Sequence, residues 1–217
     1  MTRLVQAASF PLLMRHEGRH TAVSQSDGVA LFERFLSGDD DAFVLLYREH
    51  HVRLHTYCLK ILGAPAQADD MTQEIWERVI RMRGDRPRIR NVAAFLVRMA
   101  RNLCLDHLKS QRRLSPLDLL PESSHPVELP VELSEREEVV LAALEMLSFD
   151  YREVLVLNIY CGYRFDEIAA MLDRSPEAIW ARASRARIQL RRLVVRALDD
   201  LDAAERRESA TSQESPR

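Results

Sequence analysis

The sequence predicts an all-α protein of two small helical domains joined by an acidic, proline-rich linker. Three observations carry that expectation. Glycine is scarce, at 6 of 217 residues, and no alternating β-branched run is bounded by hairpin turns. Apolar residues recur instead at spacings of three and four along most of the chain, the period of a helix face. Between residues 114 and 133, Pro116, Pro121, Pro126 and Pro130 break any helix, because each lacks an amide hydrogen and crowds the preceding turn.

Residues 1–28 end in Ser24, Gln25, Ser26, Asp27 and Gly28 and read as a weakly ordered leader. A short helix is expected from about Val29 to Leu36, stopped by Ser37 and Gly38. Asp39, Asp40 and Asp41 then offer carboxylates to the free amides of a new first turn. The helix behind them carries Phe43, Leu46, Tyr47, His51, Leu54, Tyr57, Cys58 and Ile61 in one stripe and ends at Gly63, Ala64 and Pro65. A third helix, from near Gln67, places Met71, Ile75, Trp76, Val79 and Ile80 on one face and Asp69, Asp70, Gln73, Glu74 and Glu77 elsewhere. The short loop between the two implies antiparallel packing. A polar loop with five arginines, Arg81 to Asn91, leads into a long helix from about Val92 to Gln111. Its apolar face is Phe95, Leu96, Met99, Leu103 and Leu108, and its polar face Arg98, Arg101, Asn102, Asp106 and Lys109. The first domain is thus 29–113 and the extended linker 114–133. The second domain, 134–202, is expected as helices Ser134–Leu147, Tyr151–Tyr160, Phe165–Leu172 and Pro176 to about Leu201. Residues 203–217 are polar and serine-rich, the composition of a disordered tail.

A net charge of −2 hides segregation. From Arg81 to Arg113 ten basic side chains face Asp85 and Asp106, whereas from Leu114 to Glu138 seven carboxylates face Arg136 alone. The basic block suits a polyanion partner, the acidic one a spacer or mimic. No apolar run approaches the ~20 residues of a membrane span, and no secretion signal stands at the start, so stable membrane insertion is not expected and a cytoplasmic location is. Cys58, Cys104 and Cys161 are odd in number and far apart, as buried reduced thiols would be. His50, His51 and His55 near Cys58 read as a solvated helical run, so no metal and no cofactor is expected.

Three constellations could carry function. In Phe165 to Leu190, Glu167, Ile168, Ala169 and Leu172 form a short amphipathic helix, Asp173 and Arg174 a turn, and Ser175 caps a helix that opens with Pro176 and Glu177. This is the helix-turn-helix pattern, whose second helix enters the major groove. That helix supplies Arg182, Arg185, Arg187, Arg191 and Arg192, guanidiniums suited to phosphates and guanine edges. The second constellation is the arginine loop leading to Phe95, Arg98, Arg101 and Asn102, where cations can track a single strand while pockets hold its bases. The third is the acidic face with Asp69, Asp70, Gln73 and Glu74 beside Ile75 and Trp76, a surface for protein docking.

Taken together these motifs resemble the extracytoplasmic-function, or group IV, sigma factors of the sigma-70 family, over about Leu31 to Leu193. Asp41-Ala42-Phe43 with Leu46-Tyr47 looks like the start of the family's first domain. Ala68 to Trp76 looks like region 2.2, and the resemblance implies that Asp69, Asp70, Gln73, Glu74 and Trp76 bind core RNA polymerase at the clamp helices of its largest subunit. Ala94-Phe95-Leu96 and Met99 to Asn102 with Asp106 look like regions 2.3 and 2.4. Arg83, Arg86, Arg88, Arg90, Phe95, Arg98, Arg101, Asn102, Arg112 and Arg113 would then melt and read the promoter element near minus ten. Tyr151 to Leu155, Gly162, Phe165 to Ala169 and Ser175 to Arg187 look like region four, which meets the polymerase flap and the element near minus thirty-five. Ser175, Glu177, Ala178, Trp180, Ala181, Arg182, Arg185 and Arg187 would contact that element. The sequence departs from the family at Phe95, often Trp, at Asp173, where Gly is common nearby, and at Trp180, often Lys or Arg.

The resemblance implies a non-enzymatic sigma factor that directs promoter-specific initiation in response to a stress or nutrient signal and is restrained by an anti-sigma factor. A stand-alone helix-turn-helix repressor or activator is the alternative; it would be a symmetric dimer on a palindrome. A nuclease using Asp69, Asp70 and Glu74 lacks any further carboxylate cluster or nucleophile.

Overall fold

The structure, a computed structural model, describes residues 25–85, 87–114 and 135–213. The described residues are helical, without strands, as the sequence predicts. The helices are α1 (Gln25–Leu36), α2 (Asp40–Leu62), α3 (Pro65–Arg81), α4 (Val92–Leu114), α5 (Glu135–Glu145), α6 (Phe149–Leu155), α7 (Phe165–Leu172) and α8 (Pro176–Gln213). The acidic linker and the leader up to Ser24 lie outside the described residues.

The helix starts follow their chemistry. Asp39 caps α2, its Oδ1 accepting from the Ala42 amide at 3.1 Å, and Asn91 Oδ1 takes the Ala94 amide at 2.8 Å at the head of α4. Pro65 opens α3 rather than merely closing α2, since a first-turn proline loses no hydrogen bond. Gly63 ends α2 with a φ of 73°, a left-handed turn that suits glycine. Three boundaries move. Helix α1 starts at Gln25, so residues 25–28 belong to it rather than to the leader, and Gly28 is buried within its first turns. Helix α8 continues to Gln213, past the Leu201 end read from composition. The helix expected over Tyr151–Tyr160 is an α-helical α6 followed by a π-helical segment, Val156–Tyr160. In that segment the Cys161 amide reaches back five residues to the Val156 carbonyl at 3.0 Å.

The first four helices bury Phe32, Phe35, Leu46, Ile61, Ile75 and Leu96 among one another. The second half buries Leu155, Leu157, Ile168, Met171 and Ile179. These two sets join in one continuous core, because the last turns of α2 and the flank of α4 receive α6, the π segment and α7. Polar contacts follow the seam. Tyr57 Oη donates to Glu153 Oε1 at 2.8 Å, Arg152 Nη1 donates to the Ile61 carbonyl at 2.7 Å, and Cys161 Sγ donates to the Arg53 carbonyl at 3.6 Å. Arg53 lies over the Tyr163 ring and Lys60 over the Tyr160 ring, at 5.2 and 5.1 Å. Arg152 also donates to the carbonyls at the end of α5, Leu144 among them at 3.1 Å. One guanidinium thereby satisfies the ends of two helices that belong to different halves.

His50 is buried on α2. Burial holds its imidazole neutral, with a pKa lowered from 6.5 to about 4, so its 3.9 Å approach to Glu49 is no ion pair at neutral pH. The unfolded chain binds the extra proton first. Stability from this residue is therefore intact above pH 6.5 and declines as the pH falls toward 4, by ~3 kcal/mol once that range is crossed. Urea denaturation at stepped pH should show this decline in the wild type and its loss in His50→Gln; an equal decline in both would assign it to other groups.

Candidate nucleic-acid interface

The turn between α7 and α8 has helix-turn-helix geometry in detail. Arg164 starts α7 with its amide donating to Glu167 Oε2 at 2.8 Å. Asp173 ends it with a φ of 54°, a left-handed conformation that aspartate tolerates better than most residues. This is the physical reason that glycine suits the position. Ser175 Oγ accepts the Ala178 amide at 3.2 Å, the cap expected from sequence. Backbone hydrogen bonding and then the Ser175 hydroxyl hold the exposed Glu177 carboxyl below its ordinary value.

The α8 face beyond the cap is open. Glu177, Ala178 and Arg185 are exposed, Ala181 is half-buried, and Trp180 is 64% exposed, so its indole lies bare on the helix rather than packed on α7. Two arginines of the series are engaged. Arg187 Nη2 donates to Asn158 Oδ1 at 3.1 Å and its guanidinium lies over Phe165. Arg182 Nη2 sits 3.6 Å from Asp150 Oδ2.

The loop and α4 divide similarly. Arg88, Arg90, Arg98 and Asn102 are exposed. Arg83 pairs with Asp40 and lies over the Phe35 ring, which fastens the loop to α1 and α2. Phe95 packs edge-on against Phe32 at 5.9 Å, so it closes the core as much as it lines a surface. Arg101 is drawn across the seam: its Nε is 3.0 Å from Glu153 Oε1, and its guanidinium lies over Phe149. Arg86 and the side chains of Arg112 and Arg113 lie outside the described residues.

On α3, Asp69, Asp70 and Gln73 project outward, with Asp69 Oδ1 2.9 Å from His55 Nε2 and Gln73 donating to Glu77 at 2.9 Å. Glu74 is committed to Arg78 at 2.7 Å and Arg81 at 3.2 Å. Trp76, read from sequence as a docking residue, is 6% exposed and packs against Phe43 and Tyr47 at 5.8 and 4.9 Å. Its place at the apolar face of α3 puts it inward. Exposed side chains that the sequence reading did not single out adjoin this face: Val44, Leu45 and Val52 on α2 and Ile80 on α3. Among the described residues no three metal-ligating side chains meet, and no helix is long and apolar enough to cross a membrane.

The two tryptophans should separate in denaturation experiments. Trp76→Ala should cost ~3–5 kcal/mol, while Trp180→Ala should stay within about 0.5 kcal/mol; equal losses would place Trp180 in the fold.

Comparison with known proteins agrees with this layout. Residues 46–114 match the model of sigma-70 region 2, and residues 137–190 that of sigma-70 region 4. The chain is 31% identical over 164 residues to the RNA polymerase sigma factor CarQ of Myxococcus xanthus, covering 75% of this chain and 94% of that protein. It is 30% identical over 177 residues to the extracytoplasmic-function sigma factor SigM of Mycobacterium tuberculosis strain H37Rv, covering 82% and 87%. Among solved structures, CnrH in complex with the cytosolic domain of CnrY superposes with a TM-score of 0.57 at 26% identity, covering 80% of this chain and 97% of that one. The sigma factor RpoE of Bartonella quintana, in complex with the anti-sigma factor NepR, shares the fold at 22% identity and a TM-score of 0.56, over 70% and 96%. With region 2 in its first four helices and region 4 around its helix-turn-helix, the chain belongs to the extracytoplasmic-function sigma factors of the sigma-70 family.

Proposed function

We propose that this sigma factor binds core RNA polymerase through the outer face of α3, reads and opens the minus-ten element with the arginine loop and α4, and grips the minus-thirty-five element with α8. The observation that carries the reading is the presence of both sigma regions in one chain. The exposed Asp69, Asp70 and Gln73 supply a hydrogen-bonding row on a rigid helix, suited to a protein partner. Arg88, Arg90, Arg98 and Asn102 supply cations and an amide for an unstacked strand. Trp180 and Arg185 stand where a recognition helix meets base edges.

The chain performs no chemistry of its own. Each DNA contact is modest, and the polymerase makes them effective by fixing their spacing. The free protein should therefore bind DNA weakly. An anti-sigma factor, the kind of partner seen with the Bartonella RpoE, restrains the protein in the cytoplasm until a stress or nutrient signal releases it.

Co-purification with core polymerase, followed by run-off transcription on a genomic fragment library, tests the assignment. Stable association with new start sites is expected. Tight operator binding without polymerase would instead identify a stand-alone regulator. The docking face is tested by Asp70→Ala and Gln73→Ala, which should each weaken core affinity about tenfold, ~1.4 kcal/mol, with unchanged helicity. Wild-type affinity in both variants would remove α3 from the interface.

A further inference from the structure

We propose that Asp150 and Glu153 of α6 form an intramolecular latch that closes the free chain by occupying Arg101 and Arg182, one arginine from each DNA-binding surface. The inference rests on the sigma-factor reading for the roles of those two arginines.

The geometry is specific. Glu153 is fully buried, although its neighbours in the chain, Tyr151 and Arg152, are only half-buried. Its Oε1 receives Tyr57 Oη from α2 at 2.8 Å and Arg101 Nε from α4 at 3.0 Å. Asp150, one turn earlier, lies 4.0 Å from Arg101 Nη2 through one oxygen and 3.6 Å from Arg182 Nη2 through the other. The two carboxylates thus present oxygens to two guanidiniums as phosphate oxygens would. Arg98 and Arg185, close to these two on the same helices, are exposed and carry no ion pair among the described residues.

The closed arrangement cannot serve both promoter elements at once. Elements centred near minus ten and minus thirty-five lie about 25 base pairs apart, ~85 Å at about 3.4 Å each. Here the halves share one core. The residues between the described segments, 115–134, could span at most ~70 Å if fully extended, so the tether is long enough for a large separation of the halves.

The latch is also weak enough to open. Desolvation raises the Glu153 carboxyl above its ordinary value even though Tyr57 and Arg101 both act to lower it. A buried pair in which desolvation offsets attraction adds little net stability. Removing one partner is different: it leaves the others buried and unsatisfied in the closed form alone.

The test compares full-length Asp150→Ala/Glu153→Ala with wild type and with Asp199→Ala/Asp200→Ala, a control of equal charge change on the exposed side of α8. Small-angle scattering reads the radius of gyration, and anisotropy of a fluorescein-labelled duplex of random sequence reads DNA affinity across a salt series, all without polymerase. The latch variant should expand, and its slope of log affinity against log salt should steepen by about 2 for two freed arginines, with the control unchanged in both. A compact, helical latch variant with the wild-type slope would overturn the proposal, as would equal steepening in the control. If the double variant loses its helical circular dichroism, Tyr57→Phe, which removes only the hydroxyl, decides by the radius: expansion supports the latch and an unchanged radius refutes it. Transcription by the wild type with core polymerase, run in parallel, separates failure of the latch from failure of the sigma-factor reading.

Discussion

The carboxylate of Glu153 is the constraint from which the arrangement of the two halves follows. A fully buried acid is tolerated only where hydrogen bonds replace the water it has lost. Its donors come from α2 and α4, so three helices must hold a common register for the group to be satisfied at all. Arg152, the preceding residue, adds the same kind of constraint from the donor side by ending α2 and α5 together. With α6 fixed in this way, α7 lies against α4 and the helix-turn-helix is presented from a defined direction.

A second principle organises the exposed surfaces. Side chains that could compete for a partner are sorted by whether the fold has already used them. On α3 the outer row is partly self-paired, Glu74 with two arginines and Gln73 with Glu77, whereas Asp70 makes no such bond among the described residues. On α8, Arg187 braces the π segment through Asn158, which in turn donates to the Tyr163 carbonyl at 2.9 Å, leaving Arg185 and Trp180 to solvent. A basic count along a helix overstates its binding surface, because some of those guanidiniums are structural.

Much of the fold was legible in the sequence. Caps at Asp39 and Ser175, the glycine stop at Gly63 and the three-four periodicity of α2 to α4 are local signals, and each element appears where they stand. The helix-turn-helix was equally legible, since the cap, the turn and the arginines fall within one short stretch. Other features were not. The partner of Tyr57 lies 96 residues away, and no local pattern announces a pairing at that distance. Trp76 was misplaced because an indole next to an acidic row reads as well for docking as for packing, and only the positions of Phe43 and Tyr47 decide between them. The continuation of α8 past Leu201 follows a polar, charged stretch whose composition suits a solvated helix as readily as a tail.

The π segment has a consequence for how this chain can vary. A turn closed through five residues holds one residue more than an α-helical turn, and the surplus sits where Cys161 and Tyr163 begin their approach to Arg53. Deleting any one residue between 156 and 160 would make the helix more regular while rotating everything beyond it by about 100°. What this stretch encodes is a count rather than a set of chemical identities, so its lineage should accept exchanges of side chain there far more readily than changes of length.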